Sequence, residues 1–160
     1  MTMLFLLFQL GKDRYALEAS RVVEVLPLVE IKSLPQSVKG LAGIFNYHGQ
    51  PLPAIDLCQL TLGQAARECL STRIIIVNCP DAGGANHLLG LIAENATSML
   101  RKDPKEFADP GVKVELAPYL GPILWDSQGA IQWVHEQRLL SPEVRNVLFS
   151  QTKQLIYEPS

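Results

Sequence analysis

Three side chains that could take part in chemistry lie close together in the sequence: His48, Asp56 and Cys58. A base, a carboxylate and a thiol that meet in one cleft can activate a nucleophile or bind a small ligand. A small ligand-binding or hydrolytic β-barrel domain that uses these three residues is therefore one hypothesis. The other histidines, His87 and His135, stand in separate predicted elements, and no metalloprotease or nucleophile-elbow motif is present. The sequence accordingly favours a protein with no catalytic residue, no metal site and no cofactor.

The cysteines do not indicate redox or metal chemistry. They are odd in number, and no two of Cys58, Cys69 and Cys79 form a Cys-x-x-Cys pair. Neither a disulfide framework nor a zinc knuckle is therefore predicted. Because Cys58 and Cys79 lie in or beside apolar runs, we expect buried, reduced thiols at these two positions.

Composition argues against a nucleic-acid partner. The 160 residues are 48% apolar and carry a net charge of −2, which is typical of a globular domain with its own core. Arg101, Lys102 and Lys105 form a basic cluster, but Asp103 and Glu106 dilute it. An OB-like nucleic-acid-binding domain is a further alternative. It predicts a salt-dependent gel shift that an acidic chain should not give.

The apolar start of the chain, residues 1–10, is better explained as a first strand than as a signal peptide. It lacks a basic region and a small-residue cleavage site, and the turn Gly11-Lys12-Asp13 follows it. No apolar run reaches the roughly 18 residues that a membrane-spanning helix needs. We therefore expect a cytoplasmic protein without direct membrane insertion.

The elements that position His48, Asp56 and Cys58 are a predicted hairpin and the short helix after it. Apolar runs at 41–47 and 52–57 flank a glycine-containing turn, and a helix should begin at Leu57 and stop at Gly63. Turn signals recur about every ten residues, which favours small barrels or a sandwich. Further strands are expected at 4–10, 14–18, 22–26, 73–78, 87–92, 97–100, 120–125 and 130–134. Residues 102–118 should form a loop, and a C-terminal helix with Ser141 as N-cap should cover 142–151.

The two polar residues of the hairpin each have two interpretations. Asp56 can cap the helix that begins at Leu57 by accepting backbone N–H bonds, or it can face a partner. His48 can be a plain turn residue, or it can contact a partner. The apolar residues of the strand at 22–26 can likewise pack in the core or contact a partner. A strand buries only alternate side chains in one core, so about half of them should face outward or into the seam.

Short motifs along nearly the whole chain resemble those of CheW-like domains, the coupling proteins of bacterial chemosensory arrays. The residues of the central hairpin that match are Gly43, Asn46 and Gly49 of a Gly-x-x-Asn-x-Arg-Gly turn, and Pro53, Asp56 and Leu57 of a Pro-x-x-Asp-Leu strand end. Other matching stretches are 8–11, 15–17, 22–26, 34–35, 75–77, 90–92 and 118–120. Each motif is weak by itself, but their order and spacing together are specific.

This resemblance implies a mainly β fold. Two SH3-like, five-stranded β-barrel subdomains would pack on a shared apolar core, followed by a short C-terminal helix. The chain would be a single CheW-like domain, 1–160. Its first subdomain would be about 13–71, and its second 72–140 together with the N-terminal strand 1–12.

The resemblance also implies a function. The chain would be a non-enzymatic adaptor of chemotaxis-type signal transduction, in the cytoplasm and attached to membrane receptor arrays through its partners. It would couple the cytoplasmic tip of a methyl-accepting chemoreceptor to the regulatory domain of a CheA-like histidine kinase. Receptor-binding residues carried over from the family are Val23, Glu24, Val25, Asn46, His48 and Gly49; the kinase-binding residues are not located. Gly43, Pro53 and Asp56 would be structural.

Some positions depart from the family pattern. His48 stands where relatives carry Arg, Ala93-Glu94 replaces a common Val-Asp, and residues 133–136 replace a Leu-Leu-Asp-Leu run. Residues 45–50 resemble the coupling proteins of Wsp-type alternative systems more than those of flagellar chemotaxis. Arg has a permanent charge and His does not. We therefore predict that partner binding is more pH-sensitive here than in Arg-bearing relatives.

Overall fold

A computed structural model describes residues 1–34, 38–80, 83–111 and 117–157, with side chains as far as residue 149. Within these ranges the chain is mainly β. The strands are β1 (Met3–Leu10), β2 (Asp13–Glu18), β3 (Val22–Pro27), β4 (Leu41–Tyr47), β5 (Gln50–Asp56), β6 (Arg73–Pro80), β7 (Asn86–Lys102), β8 (Leu120–Asp126) and β9 (Gly129–Val134). The helices are α1 (Leu57–Leu62) and α2 (Pro142–Tyr157), with single 3₁₀ turns at Ala19–Arg21, Pro104–Glu106 and Glu136–Arg138.

The long strand β7 belongs to two groups of strands. Its first part pairs with β6 and β5, and β3 and β4 complete a group that we call the first barrel. Its last part pairs with β1, and β2, β9 and β8 complete the second barrel. The prediction of two five-stranded barrels is therefore confirmed.

Each barrel closes through one isolated bridge to its outer strand. The chain that leaves β3 returns to pair Lys32 with Ile44 of β4, and the chain that leaves β7 returns to pair Ala108 with Ile123 of β8. The strand pairing crosses the expected subdomain boundary between residues 71 and 72, because β6 pairs with β3 of the first barrel. Strand β2, in turn, pairs with β1 and β9 of the second barrel.

The barrels share an apolar core, as predicted. Side chains from β1, β5, β6, β7 and α2 meet in one cluster between the barrels, and each barrel has a smaller cluster inside it. Strand β6 shows how one strand serves two cores. Ile75 and Val77 face the shared cluster, whereas Ile74 and Ile76 face the inside of the first barrel. The prediction that this run is buried from both sides is confirmed.

Two elements, β7 and α2, extend well beyond the predicted bounds. The strands expected at 87–92 and 97–100 are one strand, because Asn95 takes a φ of 48° and the pairing with β1 shifts register there, so the strand bends without ending. Helix α2 begins as expected, with Ser141 Oγ accepting from Val144 N–H at 3.2 Å, but it continues to Tyr157. Part of the expected loop 102–118 is the turn Pro104–Glu106.

Some sequence features lie outside the described residues. These are Pro35 of the Leu-Pro motif and residues 112–116 of the expected loop. None of the helices in the described ranges is long and apolar enough to cross a membrane.

Candidate functional site at the tip of the β4–β5 hairpin

The β4–β5 hairpin ends in a two-residue turn, His48-Gly49, which is shorter than the expected one because Gln50 already pairs with Tyr47. Both turn residues have left-handed backbones, with φ of 51° at His48 and 82° at Gly49. That combination gives the type I′ turn that matches the twist of a hairpin. The Asn46 side chain holds the turn, since its Oδ1 accepts from Gly49 N–H at 2.7 Å.

Strand β3 brings a carboxylate to this turn. The pairing of β3 with β6 shifts register between Val22 and Glu24, so Val23 is the extra residue of a β-bulge and is 46% exposed. The Tyr47 hydroxyl donates to Glu24 Oε2 at 2.7 Å, and His48 Nε2 lies 3.8 Å from the same oxygen. The hydrogen bond to Glu24 raises the pKa of Tyr47.

The residues that the family resemblance assigns to receptor binding therefore differ in their position and exposure. Glu24 and His48 meet at the turn, and Val23 lies exposed beside Glu24. Asn46 holds the turn through Gly49, and both residues line a surface cleft of about 480 Å³. Val25, in contrast, is partly buried and packs against the core shared by the barrels.

The cleft beside the turn lies where the chain after β3 separates from β4. Val29, Glu30 and Lys32 line one side, and Asn46 and Pro51 line the other. Lys32 is still bonded to the Ile44 backbone, so the cleft opens beyond that bridge. The first barrel thus has a polar turn and an adjoining cleft on one surface.

Gly43 and Pro53 support the hairpin from within. Gly43 has a φ of 149°, and a Cβ built there would lie 1.9 Å from the Lys32 carbonyl oxygen, so only glycine fits this approach. Pro53 is buried opposite Ile44, one residue before β5 starts to pair with β7.

Asp56 acts as the cap of α1. Its Oδ1 accepts from Cys58 N–H at 2.9 Å and from Gln59 N–H at 3.2 Å, while Oδ2 accepts from Ala66 N–H at 2.9 Å. The residue is 7% exposed, so its carboxylate joins the helix to the loop that follows it.

The candidate nucleophilic set is not assembled. His48 lies in the turn before β5 and Asp56 ends β5, so they are separated by about the length of this strand, roughly 20 Å. Burial, with smaller contributions from Glu94 and Asp56, raises the pKa of the Cys58 thiol to about 12, so the thiolate is not formed near neutral pH. Among the residues that the structure describes, no group of three His, Cys, Asp or Glu side chains could hold a metal ion.

A buried carboxylate lies at the junction of the barrels, and no local sequence pattern indicates it. Glu94 is 3% exposed and accepts from Gly11 N–H at 3.1 Å, from Arg67 N–H at 2.8 Å and from Arg67 Nε at 2.9 Å. Burial acts to raise the pKa of Glu94, but the hydrogen bonds from Arg67 and Gly11 outweigh it and lower the pKa. Its partners are 27 and 83 positions away in the chain, too far for a local pattern to reveal them.

Tyr47, the last residue of β4, is a further site residue that the sequence does not single out. In the family motif its position is variable, and only the contact with Glu24, 23 residues earlier, reveals its role. Side chains alternate between the two faces of a strand, so the face that Tyr47 occupies can be inferred from the sequence. Its contact with Glu24 cannot.

Comparisons with known proteins agree with this fold. The chain has a TM-score of 0.73 to the crystal structure of the scaffolding protein TtCheW from Thermoanaerobacter tengcongensis, at 24% identity, with 89% of this chain and 91% of that chain covered. No curated protein matches the sequence. The CheW-like domain family matches residues 4–143. The chain therefore belongs to the CheW-like domain family, whose members are non-enzymatic scaffold proteins of chemotaxis.

Proposed function

We propose that this scaffold protein couples the cytoplasmic tip of a chemoreceptor to the regulatory domain of a CheA-like histidine kinase. Family membership supports a scaffold role in chemotaxis. The observation that carries the finer proposal is the surface at the β4–β5 turn, where Val23, Glu24 and His48 are accessible together.

The receptor side of the proposal is a helix docking on the first barrel. Val23 supplies an exposed apolar contact, and Glu24 and His48 supply polar contacts next to it. Docked helices in general use such a combination of apolar anchors and polar neighbours. Asn46 and Gly49 fix the turn that presents His48.

The mechanism is to hold two partners in fixed geometry. Strand β7 runs through both barrels and the shared core lies between them, so a partner on either barrel is held by one continuous body. Individual contacts can be weak, because an array of many copies multiplies them. Attachment to the membrane would come through the receptor.

The test measures binding of the chain to a receptor cytoplasmic fragment and, separately, to a kinase regulatory domain. We expect both to bind. Val23→Ser should weaken receptor binding about tenfold, since an apolar contact that becomes buried on docking is lost. Val147→Ser is the matched control, because Val147 is 51% exposed on α2 and lies on another surface. A wild-type chain that binds neither partner would contradict the proposal.

A further inference from the structure

The Glu24 carboxylate has no full positive charge beside it. Its side chain is 42% exposed, and in the described part of the chain its neighbours are the neutral Tyr47 hydroxyl at 2.7 Å and the His48 imidazole at 3.8 Å. An imidazole is charged only when it is protonated. The turn therefore presents an anionic oxygen to whatever lies on it.

The corresponding turn of the second barrel shows the opposite arrangement. Asp126, next to the β8–β9 turn, accepts from both terminal nitrogens of Arg14 at 2.5 and 3.0 Å. Such a two-point pair with a guanidinium neutralises the carboxylate within the chain. The carboxylates beside the two hairpin turns therefore differ in their partner, a tyrosine hydroxyl and an imidazole for Glu24 and a guanidinium for Asp126.

We propose that Tyr47 sets the partner specificity of the β4–β5 hairpin by holding Glu24 as an acceptor for a cationic side chain, above all arginine. This inference rests on the proposed function and names the chemistry of the docking helix. With Oε2 fixed by the Tyr47 hydroxyl, Oε1 is left to accept from a guanidinium of the partner. The ring of Tyr47, 4.4 Å from that of His48, adds an aromatic face on which a guanidinium can stack.

An arginine at position 48 would make the Glu24 carboxylate unavailable to a partner. A guanidinium there would pair with Glu24 within the chain, as Arg14 does with Asp126. His48 leaves the carboxylate free for a partner except when the imidazole is protonated. The exchange from the family's Arg to His is thus expected to change which charge the partner must carry.

The test uses the full chain with the receptor cytoplasmic fragment, in low and high salt. Glu24→Gln should weaken binding about tenfold and remove most of its salt dependence, because a charged hydrogen bond is lost. Tyr47→Phe should weaken binding about threefold in the wild-type background and not at all in the Glu24→Gln background. That non-additivity separates positioning of Glu24 from a general structural role. Glu143→Gln, which removes an exposed carboxylate from α2, is the charge-matched control.

A second arm does not depend on the receptor. N-acetyl-arginine amide, compared with its citrulline analogue, should shift the NMR signals of Tyr47 and His48, and Glu24→Gln should abolish the shift. Unchanged or tighter fragment binding by Glu24→Gln, or equal shifts from arginine and citrulline, would overturn the inference. A wild-type chain that responds to arginine but does not bind the fragment contradicts the proposed function and supports the anionic site.

Discussion

The backbone of Gly43 passes so close to Lys32 that a Cβ on Gly43 would lie 1.9 Å from the Lys32 carbonyl oxygen. This approach lets Lys32 exchange two backbone hydrogen bonds with Ile44, at 2.8 and 2.9 Å. Those two bonds join the segment after β3 to the outer strand of the first barrel. Gly43, although it belongs to the family's turn motif, thus allows the first barrel to close at a point several residues away from the turn.

Gly43→Ala should therefore destabilise the protein strongly. The Cβ meets backbone atoms that cannot rotate away, and the φ of 149° is itself unfavourable for alanine, so we expect a loss of about 3 kcal/mol or more. Gly49→Ala is the control, because its φ of 82° is also left-handed but nothing lies within 4 Å. It should cost only about 1 kcal/mol. Urea unfolding of both variants measures the difference, and equal losses would show that closure at Lys32 does not matter.

Local features of the fold could be predicted from the sequence, and features that join distant segments could not. The Asp56 cap, the Gly63 stop and the two-sided burial of residues 74–77 follow from local sequence patterns, and the structure shows all three. The continuity of β7 past Asn95 depends on pairing with β1, almost ninety positions away. The contacts of Glu24 with Tyr47 and of Glu94 with Gly11 are likewise set by topology alone.

Glu94 gives a pH-dependent contribution to stability. Its pKa is lower in the folded chain than the ordinary value of about 4.3, so its contribution is present above that pH and is lost as the pH falls through the folded value. We expect Glu94→Gln to cost about 2–3 kcal/mol at pH 7, because an amide cannot accept all three N–H bonds. This loss of unfolding free energy should become smaller towards pH 3. Urea unfolding at a series of pH values measures it.

Glu106→Gln serves as the control for Glu94. Glu106 is exposed and accepts from Asp103 N–H at 3.0 Å, a capping contact that glutamine makes equally well. It should leave stability and its pH dependence nearly unchanged. If Glu94→Gln behaves the same way, the buried carboxylate does not join the barrels.

The three thiols should differ widely in reactivity. Cys69 is exposed, and hydrogen bonding to Ser71 and then Thr72 lowers its pKa, whereas burial raises the pKa of Cys58 to about 12 and that of Cys79 as well. Iodoacetamide at pH 7.5 should therefore modify Cys69 first, with the other two reacting only after unfolding. Mass spectrometry of the labelled protein reports the sites. Labelling of native Cys58 at the rate of Cys69 would revive the hypothesis of a nucleophilic thiol.

His48 should make partner binding pH-dependent. When the imidazole is protonated it pairs with Glu24 Oε2, 3.8 Å away, and competes with a cationic side chain of the partner. Among the described residues, Tyr47 also contacts both Glu24 and His48, and its hydroxyl stays uncharged. Affinity for the receptor fragment should therefore be lower in acidic than in alkaline buffer, because only a protonated imidazole competes for Glu24.

The decisive variants at this position are His48→Arg and His48→Gln. Arginine keeps the pair with Glu24 closed at every pH, so binding should be weak and flat across the titration. Glutamine never gains a charge, so binding should be tight and equally flat. If His48→Arg shows the same pH slope as the wild type, the imidazole is not the titrating group, and His48 serves only as a turn residue whose left-handed backbone the hairpin requires.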